Sequence, residues 1–141
     1  MSNSFMSTLM PGSFKRYCKT LTLCDDAALI DAYKRVHALG AVWPEIEAGM
    51  KAVGILDMEI YIAGTQLFMI MDTVADFDHD AAMRQLAALP RQAEWESYVA
   101  QFQQTSADAS AGQKWRLIER IYELGQQHEF TPEHGYLKKI D

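Results

Sequence analysis

The chain has 141 residues, 49% of them hydrophobic and 23% charged, which fits one globular domain with a sizeable core, near the size at which chains often pair. A net charge of −6 and a pI near 5.1, with no Lys/Arg stripe carrying interleaved aromatics, exclude a nucleic-acid surface. The longest apolar runs are too short to cross a bilayer and the first residues lack a basic-then-apolar leader, so a cytoplasmic protein without a membrane partner is expected.

Residues 1–14, rich in Ser and Met and closed by Pro11-Gly12, read as a flexible lead-in to an α+β domain over residues 15–124. From Arg16 to Leu23 the chain alternates, with Tyr17, Leu21 and Leu23 on one side and Thr20 and Thr22 on the other, which predicts a strand. Lys19 interrupts the apolar side and faces either solvent or a polar cavity. Asp25-Asp26 offers an N-cap to a helix carrying Leu29, Ile30, Tyr33, Val36 and His37 and ending near Gly40. A second helix opens at Trp43-Pro44 and stops at Gly54.

Met58–Ala63 and Leu67–Val74 flank Gly64-Thr65 and predict a hairpin. Helices are expected over 78–86 and 90–103, the latter with Trp95, Tyr98, Val99 and Phe102 on one stripe. The polar run 104–112 reads as a mobile loop, 114–124 as a last strand, and 125–141 as a polar tail. This order predicts a ferredoxin-like antiparallel sheet with helices on one face. Because Tyr61, Phe68, Ile70 and Ile118 give the strands bulk opposite Ile60, Met69, Met71 and Leu117, the uncovered face calls for a second sheet, and a homodimeric α/β barrel is expected.

Tyr33 and His37 lie four residues apart and share one helical face. An imidazole that titrates near neutrality beside a phenol is able to move protons at a polar ligand without a metal, although the same spacing also serves plain packing. Cys18 and Cys24 belong to no Cys-x-x-Cys pair, and an extended chain would hold their Cα atoms roughly 20 Å apart, so free thiols are expected. His79, His128 and His134 read as loop or tail residues rather than ligands.

Tyr33-x-x-x-His37, Trp43-Pro44-Glu45, the run Gly54 to Tyr61, Leu67 to Met71 and Glu94-Trp95-Glu96-x-Tyr98 together resemble, in order, the rhamnose mutarotase family of sugar mutarotases across residues 16–124. The resemblance implies a dimeric α/β barrel, no cofactor, and interconversion of the α and β anomers of a 6-deoxy-hexose. Carried over by position, it makes His37 the catalytic acid/base, Tyr33 its partner phenol and Trp95 the aromatic at the sugar. Met58, Glu59 and Glu96 become candidate substrate contacts. The chain departs from the family in having five residues, Ala38 to Val42, between His37 and Trp43 where three are usual, and in Met58 and Glu96. Its Asp57-Met58-Glu59-Ile60-Tyr61 motif, with Lys114-Trp115 and Glu119-Arg120-Ile121, is similar to the branch associated with L-fucose, so the implied substrate is L-fucose before L-rhamnose. The rival expectations are a small monooxygenase or haem-handling protein on the same barrel, and a dimer that binds a ligand without turning it over.

Overall fold

The structure, a computed structural model, describes residues 12–125 and 129–139; most of the expected lead-in and His128 lie outside the described residues. Strand β1 (Ser13–Thr22) starts earlier than expected because Ser13 to Arg16 is paired with the C-terminal segment. Its alternation sends Tyr17, Lys19 and Leu21 to the helix-covered side, where all three are buried. Helix α1 (Ala27–Val36) is capped by Asp26, whose carboxylate accepts from the Ala28 and Leu29 amides at 2.9 and 3.1 Å. It stops one residue before His37, which therefore sits at the C-cap rather than inside the helix.

Helix α2 (Pro44–Ala52) carries Pro44 in its first turn, where the missing N–H is harmless. Gly54 follows at φ +104°, and a Cβ there would press on Val74 Cγ2 at 3.0 Å, so glycine is needed both for the turn and for the space. Strands β2 (Ile55–Ala63) and β3 (Gln66–Thr73) form the expected hairpin, in which Met58 pairs with Met71 and Ile60 with Met69 on the core side. Helix α3 (His79–Ala87) is capped by Asp78, and α4 (Gln92–Ala100) carries the buried stripe of Trp95 and Val99.

Two expectations need correction. The stretch 104–112 is not a plain loop: it leads into the short helix α5 (Ala111–Lys114), with Gln113 Oε1 accepting from the Ser110 N–H at 2.8 Å. The last strand shrinks to β4 (Arg116–Leu117), because beyond it the free edge of β1 is taken by β5 (Tyr136–Lys139), a strand inside the segment read as tail. At the mouth of β5, Gly135 has φ +61° and a Cβ would collide with the Arg16 carbonyl oxygen.

The sheet order is β2-β3-β1-β4 with every pairing antiparallel, which is the expected ferredoxin-like α+β arrangement. The core lies between sheet and helices and is built from Tyr17, Leu21, Met69, Met71, Trp95, Val99 and Trp115 among others. On the other face Tyr61 and Phe68 are 54% and 40% exposed. Both thiols, Cys18 and Cys24, are free. Among the described residues no helix is long and apolar enough to cross a membrane.

Candidate active site

A cavity of about 450 Å³ opens between the sheet and the helices. Its sheet side presents Lys19, Met58, Ile60, Met69 and Met71, and its helical side Tyr33, His37, Gln92, Trp95 and Glu96. The volume is ample for one small polar ligand.

Tyr33 and His37 meet as the spacing predicts, with ring centroids 4.2 Å apart, and the edge of Trp95 closes on the imidazole at 5.6 Å. His37 Nδ1 lies 2.9 Å from the Tyr33 carbonyl oxygen. A carbonyl only accepts, so Nδ1 carries the proton and Nε2 is left as the basic nitrogen. Burial lowers the pKa of His37, against the opposing pull of the Tyr33 carbonyl and the Glu96 charge. The imidazole is therefore neutral at pH 7. Burial moves the Tyr33 phenol the other way, to well above its ordinary value, so it keeps its proton; its oxygen lies 3.5 Å from Gln103 Nε2.

Behind the helical wall, Lys114 and Glu96 form a buried pair at 2.9 Å. The Lys114 ammonium also donates to Gln103 Oε1 at 2.8 Å and to the Glu96 carbonyl at 3.0 Å, which fills its three donors. Gln92 Nε2 donates to the other Glu96 oxygen at 2.7 Å. That bond fixes the amide's orientation, and its Oε1 is buried without a partner. Lys19, 2% exposed, is a second buried ammonium, and it lines the cavity itself; burial pulls its pKa down to about 8, with Asp80 opposing.

The structure thus brings together five of the six residues singled out from sequence: Tyr33, His37, Met58, Trp95 and Glu96. Glu59 is the exception and is withdrawn from the cavity. Past the irregular start of β2, neighbours along the strand point to opposite faces, so between the cavity residues Met58 and Ile60 Glu59 turns away; it is exposed and accepts from the Tyr61 hydroxyl at 3.0 Å. Gln92 and Lys114, on short helices, and Gln103, in the segment after α4, escaped sequence reasoning because nothing in the local pattern of such polar residues says that they turn inward. Lys19 did carry one, its break in the apolar alternation of β1.

A model described as L-rhamnose mutarotase matches residues 16–124, a span that contains every residue lining the cavity. The chain belongs to the L-rhamnose mutarotase family. As a mutarotase it is an isomerase acting on carbohydrates. It is 39% identical over 114 residues to an L-fucose mutarotase of Xanthomonas campestris pv. campestris, covering 81% of this chain and 91% of that protein. It is 33% identical over 115 residues to a UPF0734 protein of Dictyostelium discoideum, covering 79% of this chain and 90% of that one. Among solved structures, the L-rhamnose mutarotase of Formosa agariphila superposes with a TM-score of 0.59 at 20% identity, over 77% of this chain and 97% of that one. At that identity the likeness speaks for the mutarotase fold alone.

Proposed function

We propose that this mutarotase interconverts the α and β anomers of a 6-deoxy-hexose, L-fucose in preference to L-rhamnose, by acid/base opening and closing of the pyranose ring. The observation that carries the reading is the neutral, tautomer-fixed His37 in the cavity wall beside Trp95. His37 Nε2 takes the anomeric hydroxyl proton while an acid of the cavity protonates O5, the C1–O5 bond opens to give the aldehyde, C1 turns about its bond to C2, and closure, with both protons returned, delivers the other anomer. The reaction already proceeds in water, so a positioned acid and base, contributing about 10²–10⁴-fold, are a sufficient catalyst.

Tyr33 orients the imidazole through its backbone and ring, and keeps a phenolic donor at the sugar. Trp95 and Met58 cover the apolar face and methyl group of the deoxy sugar. Glu96 acts through its neighbours: with both oxygens engaged, it turns Gln92 Oε1 free for a sugar hydroxyl. The preference for L-fucose is supported by Met58 in the cavity wall and by the relative named for that sugar.

The protein works as a symmetric homodimer that buries the uncovered sheet face, where Tyr61 and Phe68 stand exposed. Magnetisation exchange between the anomeric proton signals of L-fucose and of L-rhamnose tests the catalytic reading. Faster exchange of L-fucose is expected; equal or reversed preference removes the fucose assignment, and no acceleration of either sugar removes the reading.

A further inference from the structure

We propose that Lys19 is the acid of this reaction: its ammonium protonates the ring oxygen as C1–O5 opens, while His37, across the cavity, removes the anomeric hydroxyl proton. The proposal rests on the mutarotase reading above. It starts from a contrast between two buried lysines. Lys114 has three strong oxygen acceptors at 2.8, 2.9 and 3.0 Å and is completed by the protein itself. Lys19 is buried as deeply, yet the hydrogen-bond acceptor found for it among the described residues is Met83 Sδ, at 3.6 Å. A thioether is a weak acceptor, so two of the three donors of this ammonium have nothing to bind. Buried donors without partners are costly and rare, and here they border a cavity large enough for a sugar. A ligand oxygen completes the site.

The position suits the role. Lys19 rises from the middle of β1, paired with Met69 on one side and Leu117 on the other, while His37 hangs from the end of α1 on the helical wall. A pyranose between them presents its ring oxygen and its anomeric hydroxyl to different walls. Several charged and titratable groups face the amine. From α3 these are Asp80 and His79. From the helical wall there are Tyr33, His37 and Glu96, with the Glu96 carboxylate held by Lys114. Glu47, Lys51 and Asp57 are exposed parts of the cavity lining. Burial outweighs the Asp80 charge, and the amine titrates near 8. At pH 7 the cavity therefore holds a neutral base and a charged acid, the two protonation states the reaction requires.

The step balances. The O1–H bond breaks as its proton passes to His37 Nε2; its electron pair forms the C1=O1 double bond, the C1–O5 pair moves to O5, and O5 takes a proton from Lys19 Nζ. Closure on the opposite face of C1 returns the O5 proton to Lys19 and the His37 proton to O1, leaving the protein unchanged.

Lys19→Met tests this, because it removes the amine while keeping an apolar chain of similar length. Exchange of L-fucose anomers, measured at saturating sugar, should fall by at least about a hundredfold, and the melting temperature should rise as the unmet ammonium is lost. In wild-type protein, catalysed exchange should rise through the His37 titration and fall again above about pH 8, and the variant should lack the alkaline limb. Exchange per folded molecule equal to wild type, at whatever melting temperature, would overturn the proposal and assign Lys19 to packing. If the variant does not fold, the wild-type profile decides: a rate that holds flat to about pH 10 overturns it. Failure of the proposal leaves wild-type exchange intact, whereas absence of wild-type exchange overturns the mutarotase reading and the proposal together.

Discussion

In the proposed reaction, His37 owes its part as base to which of its nitrogens is occupied. The Tyr33 carbonyl at 2.9 Å holds the Nδ1 proton, and burial keeps the ring neutral, so Nε2 is free to accept. The lowered pKa has a stability consequence whose sign is definite. The unfolded chain takes up a proton near pH 6.5 before the folded one does, so folding loses stability as pH falls below that point. His79, also lowered by burial, adds in the same direction, and the difference between wild type and His37→Asn in acid unfolding curves isolates the His37 share. For Lys19 the window is alkaline. With a folded pKa of about 8 below an ordinary 10.5, its penalty is present in full below about pH 8 and relieved as pH rises to 10.5, so the stability advantage of Lys19→Met should shrink over that range in denaturant titrations. Tyr33→Phe, which removes a hydroxyl 3.5 Å from Gln103 but leaves the carbonyl, should slow exchange less than any His37 substitution. The pair Tyr33/His37 was legible in the sequence because i,i+4 spacing alone places both side chains together. Gln92 was not, because its role depends on a carboxylate turned inward by a lysine from another helix.

At the scale of elements, the Lys114–Glu96 pair clasps α5 to α4. The Lys114 side chain is fully buried, so Lys114→Met would strand a buried carboxylate and should destabilise the fold by about 3–5 kcal/mol in denaturant titrations, while removing both charges together, with Glu96→Gln, should cost much less. If the single variant matches the double, the pair is not coupled. The elements with local start and stop signals were readable: Asp26 before α1, Pro44 in α2 and Gly54 after it, and the Gly64-Thr65 turn between β2 and β3. Those decided by competition were not. The segment after Leu117 alternates like a strand, but its place on the β1 edge goes to Tyr136–Lys139, and no local pattern says which of two segments takes an edge. Gly135→Ala, which drives a methyl into the Arg16 carbonyl at φ +61°, should loosen β5 and shorten amide protection in Ser13–Arg16 before it affects the rest of the sheet.

On the whole-molecule scale the sheet has one dressed and one bare face. Tyr61 and Phe68 pair across β2 and β3 on the bare side, an arrangement that two copies related by a two-fold axis would bury reciprocally. Sedimentation at micromolar concentration should show a species of twice 16.0 kDa, and Tyr61→Lys with Phe68→Lys should shift it to the monomer; a well-folded wild-type monomer would remove the basis for the barrel. Two-sided strands made this face readable from sequence, whereas the cavity's polar lining depends on which side chains of several separate helices turn inward, which no local pattern states. Whether the proposed proton transfer runs through His37 is decided by L-fucose anomer exchange in His37→Asn, set beside the variant's melting temperature on the same preparation. A folded protein whose exchange is lower by at least about a hundredfold is expected; a variant that melts earlier yet exchanges anomers as fast per folded molecule as wild type would show that the proton moves elsewhere.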